Sequence, residues 1–247
     1  MREQPEQQPP PLQRLRIRYA KRGRLRFTSH RDFSRAFERA VFRARVPMAY
    51  SSGFNPHPRI SYAGAAPTGS ASEAEYVEVA LAAVVDPASV HASLSEALPD
   101  GLDVLEVVVS SGGSLAERLE ASHWRITLDG IGVDAAREAV AVLLDTPEVE
   151  VERMTKKGLR RFDARASVQA ASVRGEDPDR PGCAILDVVL RHGTPSVRPD
   201  DVLAALSKSS GLDVTAALQQ RLAQGPLDEA DGTVGDPLAP DRDAAPR

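Results

Sequence analysis

Arg31, Arg35, Arg39 and Arg43 recur every four residues. Residues four apart on a helix share a face, so this spacing sets guanidinium groups in a row. Guanidinium forks onto phosphate oxygens and stacks on bases, so the chemistry indicated is the grip of a polyanion. The surroundings add to it. From Arg14 to Arg59 thirteen cations, Arg24, Arg26 and Arg59 among them, stand against Asp32 and Glu38 alone. The whole chain has a formal net charge of −4. Such asymmetry points to an anionic partner, a nucleic-acid backbone first. The plain alternative is a solvated helix face, with Glu38 paired to Arg35 or Arg39. A second run, Arg153, Lys156, Lys157, Arg160, Arg161 and Arg165 against Asp163, reads as a further contact for the same anion or as an exposed basic hairpin. The two clusters lining one groove would suit RNA, by analogy of fold.

His30 and His57 are the candidate acid/base groups. With Asp32 they make a conceivable metal triad, but the spacing matches no ligand motif, so no metal site is assigned. The simpler reading makes His30 a helix-start residue bonded to backbone and His57 a ring between Pro56 and Pro58. The loop Gly53-Phe54-Asn55-Pro56-His57-Pro58 is stiff: Gly53 permits positive φ, Asn55 suits a turn and the prolines restrict the rest. Phe54 at its tip either stacks a base or, the preferred reading, plugs the core. Tyr50 and Tyr62 flank it. The segment 64–69 lacks the Lys-Ser/Thr of a phosphate-cradling loop. Ser29, Cys183 and the carboxylates form no nucleophile site, and Trp124 reads as core.

The elements that must position these groups follow from periodicity. Leu15, Ile17 and Tyr19 alternate with Arg16 and Arg18, the period of a half-buried strand. Residues 25–28 read as its extended continuation. Thr28 or Ser29 then caps a helix over 31–45, whose Phe33, Ala36, Phe37, Ala40, Val41 and Ala44 form a buried stripe. Pro47 stops it. Extended pieces follow at 48–51 and 59–63, then a strand at 75–82. Asp86 caps a helix with Pro87 at its first position, and a strand at 102–109 completes a β-α-β-β-α-β order, the ferredoxin-like arrangement. After the boundary Ser110–Ser114 comes a short linking helix over 115–121. Then follow a strand at 123–128, a helix at 134–144, a strand at 148–154, an extended piece near 162–173, a loop at 175–182, a strand at 184–190 and a helix at 199–208. Residues 213–222 read as a last strand or a short helix. The expected class is therefore α+β, two tandem ferredoxin-like units with disordered tails: tail 1–13, basic domain 14–112, second domain 113–223 and acidic tail 224–247.

Composition narrows the class. At 42% hydrophobic the chain can bury a core. One cysteine, Cys183, excludes an internal disulfide and any cluster held by several thiolates of this chain. That fits a reducing, cytoplasmic setting. No apolar run approaches the ~20 residues of a membrane span, and the polar, Pro-rich start does not read as a signal peptide. No cofactor is expected.

The stretch GRLRFTSHRDFSRAFERAVFRARVPMAYSSGFNPHPRISYAGAAPTGSASEAEYVEV resembles the uncharacterised bacterial radical-SAM-linked protein family. VERMTKKGLRRFDAR is similar to that family's second block, and the resemblance spans residues 14–222. It implies a module fused behind, or encoded beside, a radical SAM protein, often near a ribonuclease E/G gene, which is a further implied partner. It implies no established activity. The three closely spaced cysteines of a radical SAM enzyme are missing, so the resemblance is to the stand-alone partner. The expectation is a non-catalytic accessory protein that grips tRNA or rRNA for a separate radical SAM enzyme. The alternatives are an RNA-cleaving or RNA-modifying enzyme using His30 or His57, and a protein–protein adaptor without RNA.

Overall fold

A computed structural model describes residues 7–156 and 158–244. Its architecture is mixed α+β, and the chain divides into two compact units. One runs to Glu117 and takes in the residues from Pro237 on; the other is Arg118–Asp236.

The first unit contains β1 (Gln13–Lys21), α1 (His30–Arg43), β2 (Ile60–Ala63), β3 (Ala71–Leu81), α2 (Pro87–Ala97) and β4 (Leu102–Val109). Its strands lie in the order β4-β1-β3-β2, each pair antiparallel. Leu15, Ile17 and Tyr19 of β1 point into one core with Val77, Val79 and Leu81 of β3. Phe33, Phe37, Ala40 and Val41 of α1, and Val90 and Leu94 of α2, close that core from the helix side. Asp86 caps α2 as expected, its carboxylate accepting the Ala88 and Ser89 N–H groups at 3.2 Å each, with Pro87 inside the first turn.

The second unit repeats the pattern with an addition. It contains β5 (Ala121–Leu128), α3 (Val133–Asp145), β6 (Glu150–Thr155), β7 (Gly158–Asp163), β8 (Val168–Asp177), β9 (Arg180–Arg191), α4 (Pro199–Ser210) and β10 (Ala216–Gly225). The sheet order is β10-β5-β9-β8. The strand expected at 148–154 forms as β6, but among the described residues it pairs with β7 in a separate two-stranded sheet and not with β5, β8, β9 or β10. Short β11 (Leu227–Asp228) and β12 (Thr233–Val234) follow, and α5 (Ala239–Asp243) closes the described chain in the first unit.

Several expectations are corrected. Residues 23–27 form a 3₁₀ turn, not a strand. The loop expected at 175–182 is a tight turn, because β8 and β9 stay paired to Asp177–Arg180. The linking helix at 115–121 shrinks to a 3₁₀ turn, Ala116–Arg118. The tail 224–247 is not disordered over its described part: Leu238 is fully buried and Asp241 nearly so. Its polar composition gave no sign of what engages it: strand pairing at its start, the buried Leu238 and a buried ion pair. Nη1 of Arg16 lies 2.9 and 3.0 Å from the Asp241 carboxylate oxygens. Of the expected N-terminal tail, residues 1–6 lie outside the described residues, while the Leu12 N–H donates to the Leu81 carbonyl at 2.9 Å.

Candidate nucleic-acid interface

The helix carrying the arginine row is fixed at both ends. Ser29 caps it: its Oγ accepts the Asp32 N–H at 3.2 Å and donates to the Asp32 carboxylate at 2.7 Å. At the other end the Arg45 N–H donates to the Phe42 carbonyl and the Val46 N–H to that of Val41. This is the Schellman pattern, and it puts Arg45 at φ 53°, a position where glycine is the usual occupant. The buried face locks rotation about the helix axis: Phe33 stacks on Tyr19 with centroids 4.5 Å apart, and its edge meets Tyr62 at 5.8 Å.

That rotation sorts the basic residues into two classes. The cations of β1, and Arg22 after it, are engaged within the unit by carboxylates or backbone carbonyls. Arg14 and Arg16 pair with Glu78, each at 2.9 Å. Arg22 pairs with Glu73 and Asp103, Arg18 donates to the Glu73 carbonyl, and Lys21 is buried against the Ala66 and Pro67 carbonyls. Arg16, read as an outward cation, is fully buried. The other class is solvent-facing. Arg24, Arg31, Arg35, Arg39 and Arg45 are exposed and make no ion pair among the described residues, nor does Glu38, so the pairing of Glu38 with Arg35 or Arg39 does not form. Arg43 stands between the classes, with Nη2 2.6 Å from the Ala97 carbonyl oxygen. Arg26 lies over the Phe27 ring at 4.5 Å, and Arg59 donates to the Tyr50 carbonyl at 3.1 Å.

Sequence reasoning missed the aromatic in the middle of this row. Phe42 follows Arg35 by seven residues and Glu38 by four, which places it on the arginine face, and it is 82% exposed. With Arg35, Glu38, Arg39 and Arg43 it lines a shallow depression. The signal was present, since Phe42 falls outside the buried stripe. The neighbouring loop adds exposed rings. Gly53 takes φ 130°, and the loop is closed by the Ser51 N–H to the His57 carbonyl at 2.9 Å and the His57 N–H to Ser51 Oγ at 3.0 Å. Phe54 at its tip is 72% exposed. It does not plug the core, whose rings are Tyr19, Phe33 and Phe37 with Tyr62 packed against them.

His30 and His57 are placed separately. His30, at the first turn of α1, meets Tyr62 edge-on at 5.0 Å. His57 is exposed in the loop with Asn55, Pro56 and the partly covered Pro58. Neither ring makes a hydrogen bond among the described residues, and Asp32 is engaged in the cap. Among these residues no three His, Cys, Asp or Glu side chains gather as metal ligands.

The second basic run lies on the β6–β7 hairpin. Arg153 pairs with Asp201 at 2.7 Å and lies over Phe162 at 4.9 Å. Arg161 pairs with Glu152 at 2.7 Å, and Arg165 donates to the Val168 and Leu144 carbonyls. Lys156 and Arg160 are exposed and unpaired among the described residues. Lys157 lies outside them. Elsewhere in this unit Trp124 is core, as expected, donating to Ser122 at 2.8 Å, and Cys183 is buried.

No helix among the described residues is long and apolar enough to cross a membrane. Residues 14–199 match the family described as an uncharacterized protein conserved in bacteria, DUF2344. No curated protein matches the chain. Among solved structures, one in the crystal structure of a Cbf5-Nop10-Gar1 complex is similar at 10% identity with a TM-score of 0.49, over 90% of this chain. The chain spans 56% of that protein's length.

Proposed function

This chain belongs to the bacterial family DUF2344, and we propose that it is an RNA-binding accessory protein acting with a separate radical SAM enzyme. The observation that carries the RNA reading is the exposed row Arg31, Arg35 and Arg39, without internal counter-ions among the described residues and set around the exposed ring of Phe42. Cations left unneutralised beside an uncovered aromatic suit phosphate contact and base stacking together. Arg24, Arg45, Lys156 and Arg160 add exposed charge. The partner rests on the resemblance of the GFNPHP region to radical-SAM-linked proteins. The strand orders β4-β1-β3-β2 and β10-β5-β9-β8, each with two crossing helices, support reading both units as ferredoxin-like.

The test is binding of the purified protein to total tRNA and rRNA fragments across a salt series. The comparison is a variant carrying Arg31→Ala, Arg35→Ala and Arg39→Ala. Tight binding that weakens with salt, and a variant that is weaker with a slope shallower by about two to three, support the reading. No binding at low salt sinks it and leaves the arginine face as a protein-docking surface. Co-purification of a radical SAM protein tests the partnership separately.

A further inference from the structure

Beside the arginine row, the end of α1 and the segment after it enclose a cleft of about 720 Å³, within the ~300–1,000 Å³ usual for small-ligand sites. Phe42, Tyr50 and Pro58 give it flat apolar walls, and Glu38, Arg43 and Arg45 give it a polar rim. Phe42 is 82% exposed and Tyr50 43%, so each ring keeps surface open to a ligand. The carbonyl of Tyr50 is held by Arg59 at 3.1 Å, which fixes the backbone carrying that ring. Arg45 lies on that rim with its backbone at φ 53°, which an L-residue adopts at a cost.

We infer that this cleft takes an unpaired RNA nucleobase, stacked on Phe42 or Tyr50, with the flanking phosphates on Arg45 and on Arg39 of the adjoining depression. The inference rests on the RNA reading above and deepens it. A duplex keeps its bases stacked on one another, so only a splayed loop or bulge base can offer a face to these rings. The positive rim selects an anionic occupant over a neutral apolar one. The Glu38 carboxylate adds an acceptor for an exocyclic amino group, such as that of cytosine.

The experiment uses the full chain and three RNA probes that share one stem. The first has a seven-nucleotide loop with 2-aminopurine at its centre, the second has the same loop abasic, and the third is a blunt duplex. The expected result is salt-dependent binding of all three, with the intact loop roughly 5- to 100-fold tighter than the abasic one and quenching of 2-aminopurine fluorescence. Phe42→Ala and Tyr50→Ala remove the preference and the quenching while keeping duplex binding. Equal binding of intact and abasic loops by the wild type overturns the cleft alone, as does a Phe42→Ala, Tyr50→Ala double variant that behaves as wild type. Failure to bind any probe overturns the RNA reading as well. Both ring residues are at least partly exposed, so circular dichroism of the variants separates lost stacking from lost folding.

Discussion

Arg16 and Asp241, 225 residues apart in the chain, form a fully buried ion pair at 2.9 Å. The Asp241 carboxylate also accepts from the Ser111 N–H and hydroxyl, and the second guanidinium nitrogen of Arg16 donates to the Gly112 and Gly113 carbonyls. Removing one partner leaves the other charged in a place without water. Asp241→Ala is therefore expected to cost about 3–5 kcal/mol, nearer the lower figure because Glu78 still pairs with Arg16. Urea denaturation of the first unit measures it, and a loss under ~1 kcal/mol would mean that α5 does not hold this unit.

The exposed arginines carry the opposite expectation. Arg31, Arg35 and Arg39 make no ion pair among the described residues, so replacing all three with alanine is expected to shift stability by no more than about 0.5 kcal/mol per site. The same variant weakens RNA binding. A large loss of stability in thermal unfolding would show that the row serves the fold.

Arg45 separates stability from binding. It occupies the left-handed position that glycine takes without steric cost. Arg45→Gly is expected to stabilise the protein by roughly 1 kcal/mol and to weaken loop RNA binding. A thermal melt and a binding titration on the same preparation check both signs.

His192 should make the second unit acid-sensitive. Burial pushes its pKa below the ordinary 6.5, against the Leu119 carbonyl that holds Nδ1 at 2.7 Å. Ser122 accepts from Trp124, which leaves its hydroxyl to donate to Nε2 of His192 at 3.0 Å and fixes the neutral ring. The folded pKa lies below the unfolded one, so the contribution is complete above pH 6.5 and is lost as pH falls below it. His192→Gln is expected to flatten that acid limb in denaturation curves taken at a series of pH values.

Tyr62 behaves in the opposite sense at alkaline pH. Burial raises its pKa from 10.0 to about 12, against the nearby Ser34 hydroxyl, and its buried hydroxyl makes no hydrogen bond of normal geometry among the described residues. Its stability contribution is full below pH 10 and lost as pH rises towards 12. Tyr62→Phe is expected to be neutral or stabilising by up to about 1 kcal/mol and to shallow the alkaline limb. Stability as a function of pH for both proteins tests this.

Spacing and capping alone determined the helix of the arginine row, its buried stripe, the Asp86-Pro87 start of α2 and most of the order of strands and helices. These follow from spacing and capping, which are local. The arginine spacing likewise placed Arg31, Arg35 and Arg39 on one exposed face. What the tertiary structure decided was which charges are neutralised. Arg16 and Arg35 are the same residue type in equally basic surroundings, yet one is sealed against Glu78 and Asp241 and the other faces solvent. Partners 62 and 225 positions away leave no mark on a local pattern. For the same reason the tail that supplies Asp241 reads as disordered, and Phe54 reads as core although its loop holds it out in solvent. The cleft beside Phe42 needed the turn at Arg45 and the return of Tyr50, a meeting of segments that only folding brings about.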